Sequence, residues 1–142
     1  MLTRLAFTNF KTWERADIEF APITLLFGAN SSGKSSLLQF LLLLKQTKET
    51  TDRALALDLG GPYVSLGTYH DLVFRHEDPL EIEWCLHWKT DKKIRIQDLS
   101  VEPAVDLVQS DLLSVGGRIV GSEGPSKARE LTYAIDKHRF SL

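Results

Sequence analysis

One octapeptide restricts this chain more than any other feature of its sequence. Residues 28–35 read Gly-Ala-Asn-Ser-Ser-Gly-Lys-Ser and match the pattern G-x-x-x-x-G-K-[ST] at each fixed position. The apolar run Ile23–Phe27 precedes the octapeptide, and a leucine-rich segment from Lys34 to Thr47 follows it. This order predicts a short strand buried on both faces, then a glycine turn, then a helix that neighbouring segments cover on most sides.

Each residue type in the octapeptide has a physical reason for its position. Glycines at two positions allow the backbone to turn so tightly that successive N–H groups converge on a phosphate, and the helix N-terminus adds its positive dipole end. Lys34 is expected to contact the β- and γ-phosphates and to act in catalysis, Ser35 to bind Mg²⁺, and Ser36 to contact the α-phosphate. The predicted ligand is a magnesium nucleoside triphosphate. Its predicted binding residues are Gly28, Asn30, Ser31, Ser32, Gly33, Lys34, Ser35 and Ser36.

The remaining pattern predicts strands and turns. Two further strands are expected before the apolar run Ile23–Phe27, and alternating apolar residues later in the chain predict half-buried antiparallel strands joined by polar turns. The glycine-rich stretches at 116–117 and 121–126 are expected to be flexible connections. The predicted strands are Leu2–Thr8, Ala16–Phe20, Leu55–Leu59, Tyr63–Leu66, Leu80–Lys89, Ile94–Asp98 and Leu131–Ile135, with turns at Asn9–Thr12, Thr90–Lys93 and Asp136–His138.

Composition narrows the class of protein. With 43% hydrophobic and 25% charged residues, the 142-residue chain is typical of a globular protein, and its formal net charge of −2 gives no general sign of nucleic-acid binding. The single Cys85 favours a reducing, cytoplasmic location. The longest apolar block, Leu37–Leu44, is interrupted by Gln39 and is far below the ~20 residues that a membrane span needs, so no membrane segment is expected.

Two longer stretches carry a family resemblance. Leu5-Ala6-Phe7-Thr8-Asn9-Phe10-Lys11-Thr12, together with Pro22 to Leu38, resembles the start of the ABC-type ATPases of the SMC, RecF and OLD group. Residues 43–47 and 57–73 narrow the resemblance to bacterial AAA-labelled, SMC-like ATPases. The resemblance covers about residues 2–90, and the chain beyond them matches only a β-rich arm.

The resemblance implies a fold and a function. The expected fold is α/β: a mixed sheet with the P-loop helix, followed by an antiparallel β subdomain. The expected division is a P-loop core at 1–53 and the β-rich remainder of the lobe at 54–142. Relatives hydrolyse ATP at a site shared with a second subunit, so a homodimer or larger homo-oligomer is implied, and Lys11 is implied as a contact of the adenine. The family's DNA transactions or phage defence imply DNA, or a toxin or nuclease, as a further partner.

The family's downstream elements have no good match here, so the chain is interpreted as a fragment that is inactive in isolation. The signature loop and the Walker B carboxylates lie further along the chain in relatives. Ala54–Asp58 imitates a Walker B strand, but Leu59 stands where the glutamate belongs, and Leu113–Arg118 imitates a signature loop with one residue inserted.

Two other functions remain open. One is a P-loop phosphotransferase, and the other is a non-catalytic module whose nucleotide only organises assembly. A GTPase is disfavoured because Asn9 and Asn30 are the only asparagines, which leaves no N-K-x-D element to recognise guanine.

Overall fold

The computed structural model describes residues 1–51, 55–77, 80–121 and 127–141. One helix and six strands form its regular structure, with two short 3-10 turns between the helix and the third strand. In chain order these elements are β1 (Leu2–Phe10), β2 (Trp13–Glu19), α1 (Lys34–Glu49), the 3-10 turns His70–Leu72 and Phe74–His76, β3 (Glu81–Asp98), β4 (Val105–Val120), β5 (Lys127–Ile135) and β6 (His138–Ser141).

The six strands form one sheet in the order β2-β1-β3-β4-β5-β6, and every neighbouring pair is antiparallel. The predicted mixed sheet is therefore wrong for the residues that the structure describes. The predicted strands in β1, β2 and β5 are confirmed. In β1 the alternating pattern places Leu5 and Phe7 on a buried face, whereas β5 buries only Ile135. β1 pairs directly with β3, so backbone hydrogen bonds join the first half of the chain to the second half within one sheet.

The strand predicted at Ile23–Phe27 is wrong in this structure. The segment has no regular secondary structure, and Ile23 and Phe27 are 80% and 86% exposed. A central strand needs a hydrogen-bonded neighbour on each side and apolar cover on both faces. None of the described strands pairs with this segment, so its apolar side chains lie in solvent.

Helix α1 confirms the predicted helix but buries only one face. Its buried residues recur at the three- and four-residue spacing of a helical stripe, whereas Leu38 and Leu42 on the other side are exposed, so the predicted cover on most sides is wrong. Phe40 stacks on Phe7 of β1 with ring centroids 4.6 Å apart and meets Phe10 edge-on at 4.8 Å. No helix in the described ranges is long and apolar enough to cross a membrane. The buried residues of α1 are Ser36, Leu37, Phe40, Leu43 and Gln46.

Strand β3 is longer than the sequence predicts. The turn expected at Thr90–Lys93 is wrong: the strand continues to Asp98 and pairs with β4 up to Lys89 and again from Ile94, with a register shift between the two paired stretches. The flexible connection predicted at Gly116–Gly117 is also wrong, because both glycines lie inside β4. Gly117 faces Trp84 across the ladder, where an added Cβ would lie 3.1 Å from the indole, so a small residue suits this position. Residues 122–126 of the other predicted connection lie outside the described residues.

The segment that returns from α1 to the sheet is held by one buried side chain. Gln46 is only 1% exposed, and its amide donates to the carbonyls of Asp58 and Val64 while accepting from the N–H groups of Tyr63 and Val64. The short strands predicted around residue 60 are not formed, since a single bridge between Gly60 and Ser65 is the only ladder element within residues 55–66. Ala54, the first residue of the stretch that imitates a Walker B strand, lies outside the described residues.

Candidate functional site

The glycine-rich loop leads directly into the first turn of α1. Residues 28–32 are exposed and without regular structure, and Gly33 occupies the N-cap position with φ of 88°. This left-handed conformation is costly for any residue with a Cβ, which explains why the second glycine position of the octapeptide requires glycine. No side chain in the described part of the chain caps the helix, and its first turn contains no acidic residue, so its positive dipole end is not neutralised locally.

The β1–β2 turn packs against this end of the helix. The indole Nε1 of Trp13 donates a hydrogen bond to the Gly33 carbonyl at 3.1 Å. A Cβ added to Gly33 would lie 2.5 Å from that nitrogen and 2.6 Å from Thr12 Oγ1, so the contact depends on glycine. Sequence reasoning does not identify Trp13 as a site residue. The only feature of the sequence that points to Trp13 is its position as an aromatic residue directly after the predicted turn Asn9–Thr12.

The Lys34 ammonium lies over the loop that precedes it. Nζ donates to the carbonyl oxygens of Gly28 and Ala29 at 2.8 and 2.6 Å, and to Ser32 Oγ at 3.3 Å. These acceptors match the three donors of an ammonium group. The structure therefore places the Lys34 side chain against residues 28–32, as expected for the lysine of this octapeptide pattern.

The other predicted residues of the loop differ in exposure. Asn30, Ser31 and Ser32 are exposed, and Ser31 has φ of 64°. Ser35, the predicted magnesium ligand, lies on the first turn of α1 and is exposed, whereas Ser36 is buried against the core. Their contacts with a nucleotide remain predictions.

Lys11, the predicted adenine contact, lies in the same region but is engaged within the chain. Its Nζ donates to Gln39 Oε1 at 2.9 Å, which ties the β1–β2 turn to the second turn of α1. Its backbone N–H donates to the Leu72 carbonyl at 2.5 Å. Lys11 therefore lies at a junction between the hairpin, the helix and the segment before β3, and its role toward adenine remains a prediction.

Two open clefts of about 490 Å³ lie along the strands and away from the loop. Residues of β1 to β5 line one of them and residues of β3 to β6 line the other, and no residue of the loop lines either of them. An anion site made of main-chain N–H groups at a helix end is a surface cradle rather than a cavity. The loop is therefore the better candidate on its chemistry.

Comparisons with known proteins give a family and a fold that this chain resembles. The family model for AAA ATPase domains matches residues 1–129. A solved structure described as concerning ATP-driven dimerization and DNA-stimulated activation of SMC ATPases matches with a TM-score of 0.51 and 18% sequence identity. That match covers 98% of this chain and 71% of the other, and at this identity it supports the fold alone. A search of curated proteins found no match.

Proposed function

Because this chain belongs to the family of AAA ATPase domains, we propose that it is the ATP-binding part of an SMC- and RecF-like, ABC-type ATPase. One observation carries the proposal: a loop with the full octapeptide pattern opens α1, with the Lys34 ammonium folded over it. The main-chain N–H groups of such a loop, together with a helix N-terminus, bind phosphate.

Phosphate binding changes the bonds that Lys34 makes. All three ammonium donors now have acceptors within the chain, so a phosphate oxygen must replace or share at least one of them. The exchange is favourable because a phosphate oxygen is negatively charged, so it adds Coulomb attraction to the ammonium that a neutral carbonyl oxygen does not supply. We propose that Lys34 then holds the β- and γ-phosphates and stabilises charge in the transition state of hydrolysis.

The residues present fit a magnesium ion. Ser35 offers a hydroxyl oxygen on the first turn of α1, and Mg²⁺ prefers hard oxygen ligands, most of which the substrate phosphates and water supply at sites of this kind. When bound, the ion neutralises charge on the phosphates. The part of Ser35 is to offer its oxygen from a rigid helical position. Lys11 is proposed to contact adenine from the neighbouring turn.

The exposed apolar segment Ile23–Phe27 is one reason to propose that the described lobe is incomplete. Leaving apolar side chains in water costs about 25 cal/mol for each Å² of exposed apolar surface. We propose that a downstream lobe covers the segment, and that a second subunit completes the hydrolytic site. The described SMC structure concerns ATP-driven dimerization, which supports a homodimer here.

Several finer proposals rest on the resemblance. They are the division at residues 1–53 and 54–142, a cytoplasmic location, a role in DNA transactions or phage defence, and DNA or a toxin or nuclease as partner. None of them affects the binding step, which is argued from the loop itself.

Equilibrium titration of the purified protein with Mg·ATP tests the proposal. Lys34→Ala is expected to weaken binding at least about tenfold, because hydrogen bonds to charged groups contribute about 1.5–3 kcal/mol. Lys45→Ala is the matched control: Lys45 lies on the same helix, but its Nζ is 4.2 Å from the centre of the Tyr63 ring, outside the loop. Equal affinities for Lys34→Ala and wild type would contradict the site, and equal competition by GTP would remove the support for an adenine contact.

A further inference from the structure

The Gly33 carbonyl accepts two hydrogen bonds from different directions in the chain. The Trp13 indole donates one at 3.1 Å, and the Leu37 backbone N–H, one turn along α1, donates the other at 3.1 Å. The helical bond is common to any α-helix, whereas the indole bond comes from the β1–β2 hairpin. The orientation of this carbonyl is therefore set by the sheet as well as by the helix.

The direction of the Gly33 carbonyl also determines the direction of the next N–H group. A trans peptide unit is planar, so the Lys34 N–H points opposite to the Gly33 C=O. The C=O points toward Leu37 and Trp13, so the Lys34 N–H points away from them, out of the helix N-terminus. That N–H is one of the donors that an anion at the loop would meet.

The indole that makes this bond is itself held in place. Trp13 pairs with Phe10 across the hairpin and packs edge-on against Phe7, with ring centroids 6.5 Å apart. Because Gly33 has no Cβ, the indole nitrogen can approach the peptide closely. Donor and acceptor are thus arranged before any ligand arrives, and prearranged donors bind a ligand at a lower entropic cost.

We propose that Trp13 is a positioning residue of the phosphate site: its indole N–H fixes the Gly33–Lys34 peptide so that the Lys34 N–H is directed at the phosphate. The inference rests on the proposed function, because it assigns Trp13 a part in the same site. Trp13 acts through the peptide and does not itself contact the nucleotide.

Two tryptophan substitutions in the full-length protein test this role. Trp13→Phe removes the indole donor and keeps an aromatic ring. Trp84→Phe is the matched control, because the Trp84 Nε1 is buried and has no hydrogen-bond partner in the described part of the chain. Trp13→Phe is expected to weaken the binding of Mg·ATP and of magnesium pyrophosphate about threefold to tenfold, the range that one hydrogen bond supports, and Trp84→Phe less than about twofold.

A spectroscopic readout separates positioning from general stability. In nitrogen–proton NMR spectra, the Lys34 amide is expected to shift when pyrophosphate is added to wild type and to shift less in Trp13→Phe, with Trp84→Phe resembling wild type. If Trp13→Phe does not fold, replacing Trp13 by 3-benzothienylalanine keeps the shape of the ring and removes only the N–H. The affinity loss and the reduced Lys34 shift are then expected for that variant.

Wild-type affinity in Trp13→Phe or in the benzothienylalanine variant, with Lys34→Ala still defective, would overturn the positioning role and leave the proposed function intact. An equal loss of affinity in Trp84→Phe would also overturn it, because the effect would then follow general packing. Absence of Mg·ATP and pyrophosphate binding in the wild-type protein would overturn both proposals.

Discussion

Replacing Gly33 by alanine perturbs the loop at its tightest point. The residue has φ of 88°, and an added Cβ would lie 2.5 Å from the Trp13 indole nitrogen and 2.6 Å from Thr12 Oγ1. The left-handed conformation costs an alanine about 1–2 kcal/mol, and the overlap forces shifts that cost about 1–3 kcal/mol. Alanine also restricts the unfolded chain, which returns about 0.4–1 kcal/mol. The expected net loss in the free energy of unfolding is about 1–4.6 kcal/mol.

Urea unfolding followed by circular dichroism measures this loss, with Gly60→Ala as the control. A Cβ added to Gly60 would meet no described atom within 4 Å, and Gly60 has no positive φ, so its substitution is expected to change stability by less than about 0.5 kcal/mol. Gly33→Ala is also expected to weaken Mg·ATP binding, because the indole and the peptide cannot both keep their places. If Gly33→Ala unfolds at the same urea concentration as Gly60→Ala, the packing of the hairpin turn on the helix end is wrong.

Two further predictions concern the segment between α1 and β3. Gln46→Leu removes an amide that donates to the Val64 carbonyl and accepts from its N–H, among other bonds, and is expected to lower the free energy of unfolding by about 2–4 kcal/mol in the urea assay. Unchanged stability would show that water replaces these bonds at no cost. The N–H and hydroxyl of Thr68 donate to Asp71 and lower the pKa of its carboxyl below the usual value, so the folded state resists protonation more than the unfolded state. This stabilisation is complete above about pH 4 and is lost as pH falls through the folded pKa. In Asp71→Asn the free energy of unfolding should therefore fall less steeply as the solution is acidified below about pH 4. An unchanged fall in the free energy of unfolding would contradict this prediction.

The local elements could be predicted because their signals lie within a few residues. The alternation in β1, the loop glycines and the helix formers after Lys34 each favour one conformation regardless of the rest of the chain. The same local rules failed at Thr90–Lys93, where polar residues typical of a turn lie within a continuous strand. Pairing with β4 supplies backbone hydrogen bonds on both sides of that point, which outweighs the turn propensity.

The sequence predicts the glycine-rich loop of the proposed site, but it does not predict the residue that packs against this loop. The octapeptide pattern has fixed positions for Gly33 and Lys34, whereas the packing of Trp13 against Gly33 depends on how the hairpin folds over the helix end. Binding of a phosphate there stays a prediction. The exposed state of Ile23–Phe27 could not be predicted either. A buried-strand pattern indicates that a segment needs cover, and it does not say which part of a protein supplies the cover.

Turnover of ATP per subunit, measured over a range of concentrations of the natural full-length protein, tests whether two subunits share the hydrolytic site. Turnover is expected to rise with protein concentration and to be abolished by Lys34→Ala, because the proposed site needs groups from a second subunit. Turnover that is independent of concentration, or that survives Lys34→Ala, would contradict the shared site. Tight Mg·ATP binding without turnover at any concentration would instead indicate a nucleotide-binding module that is not itself an ATPase.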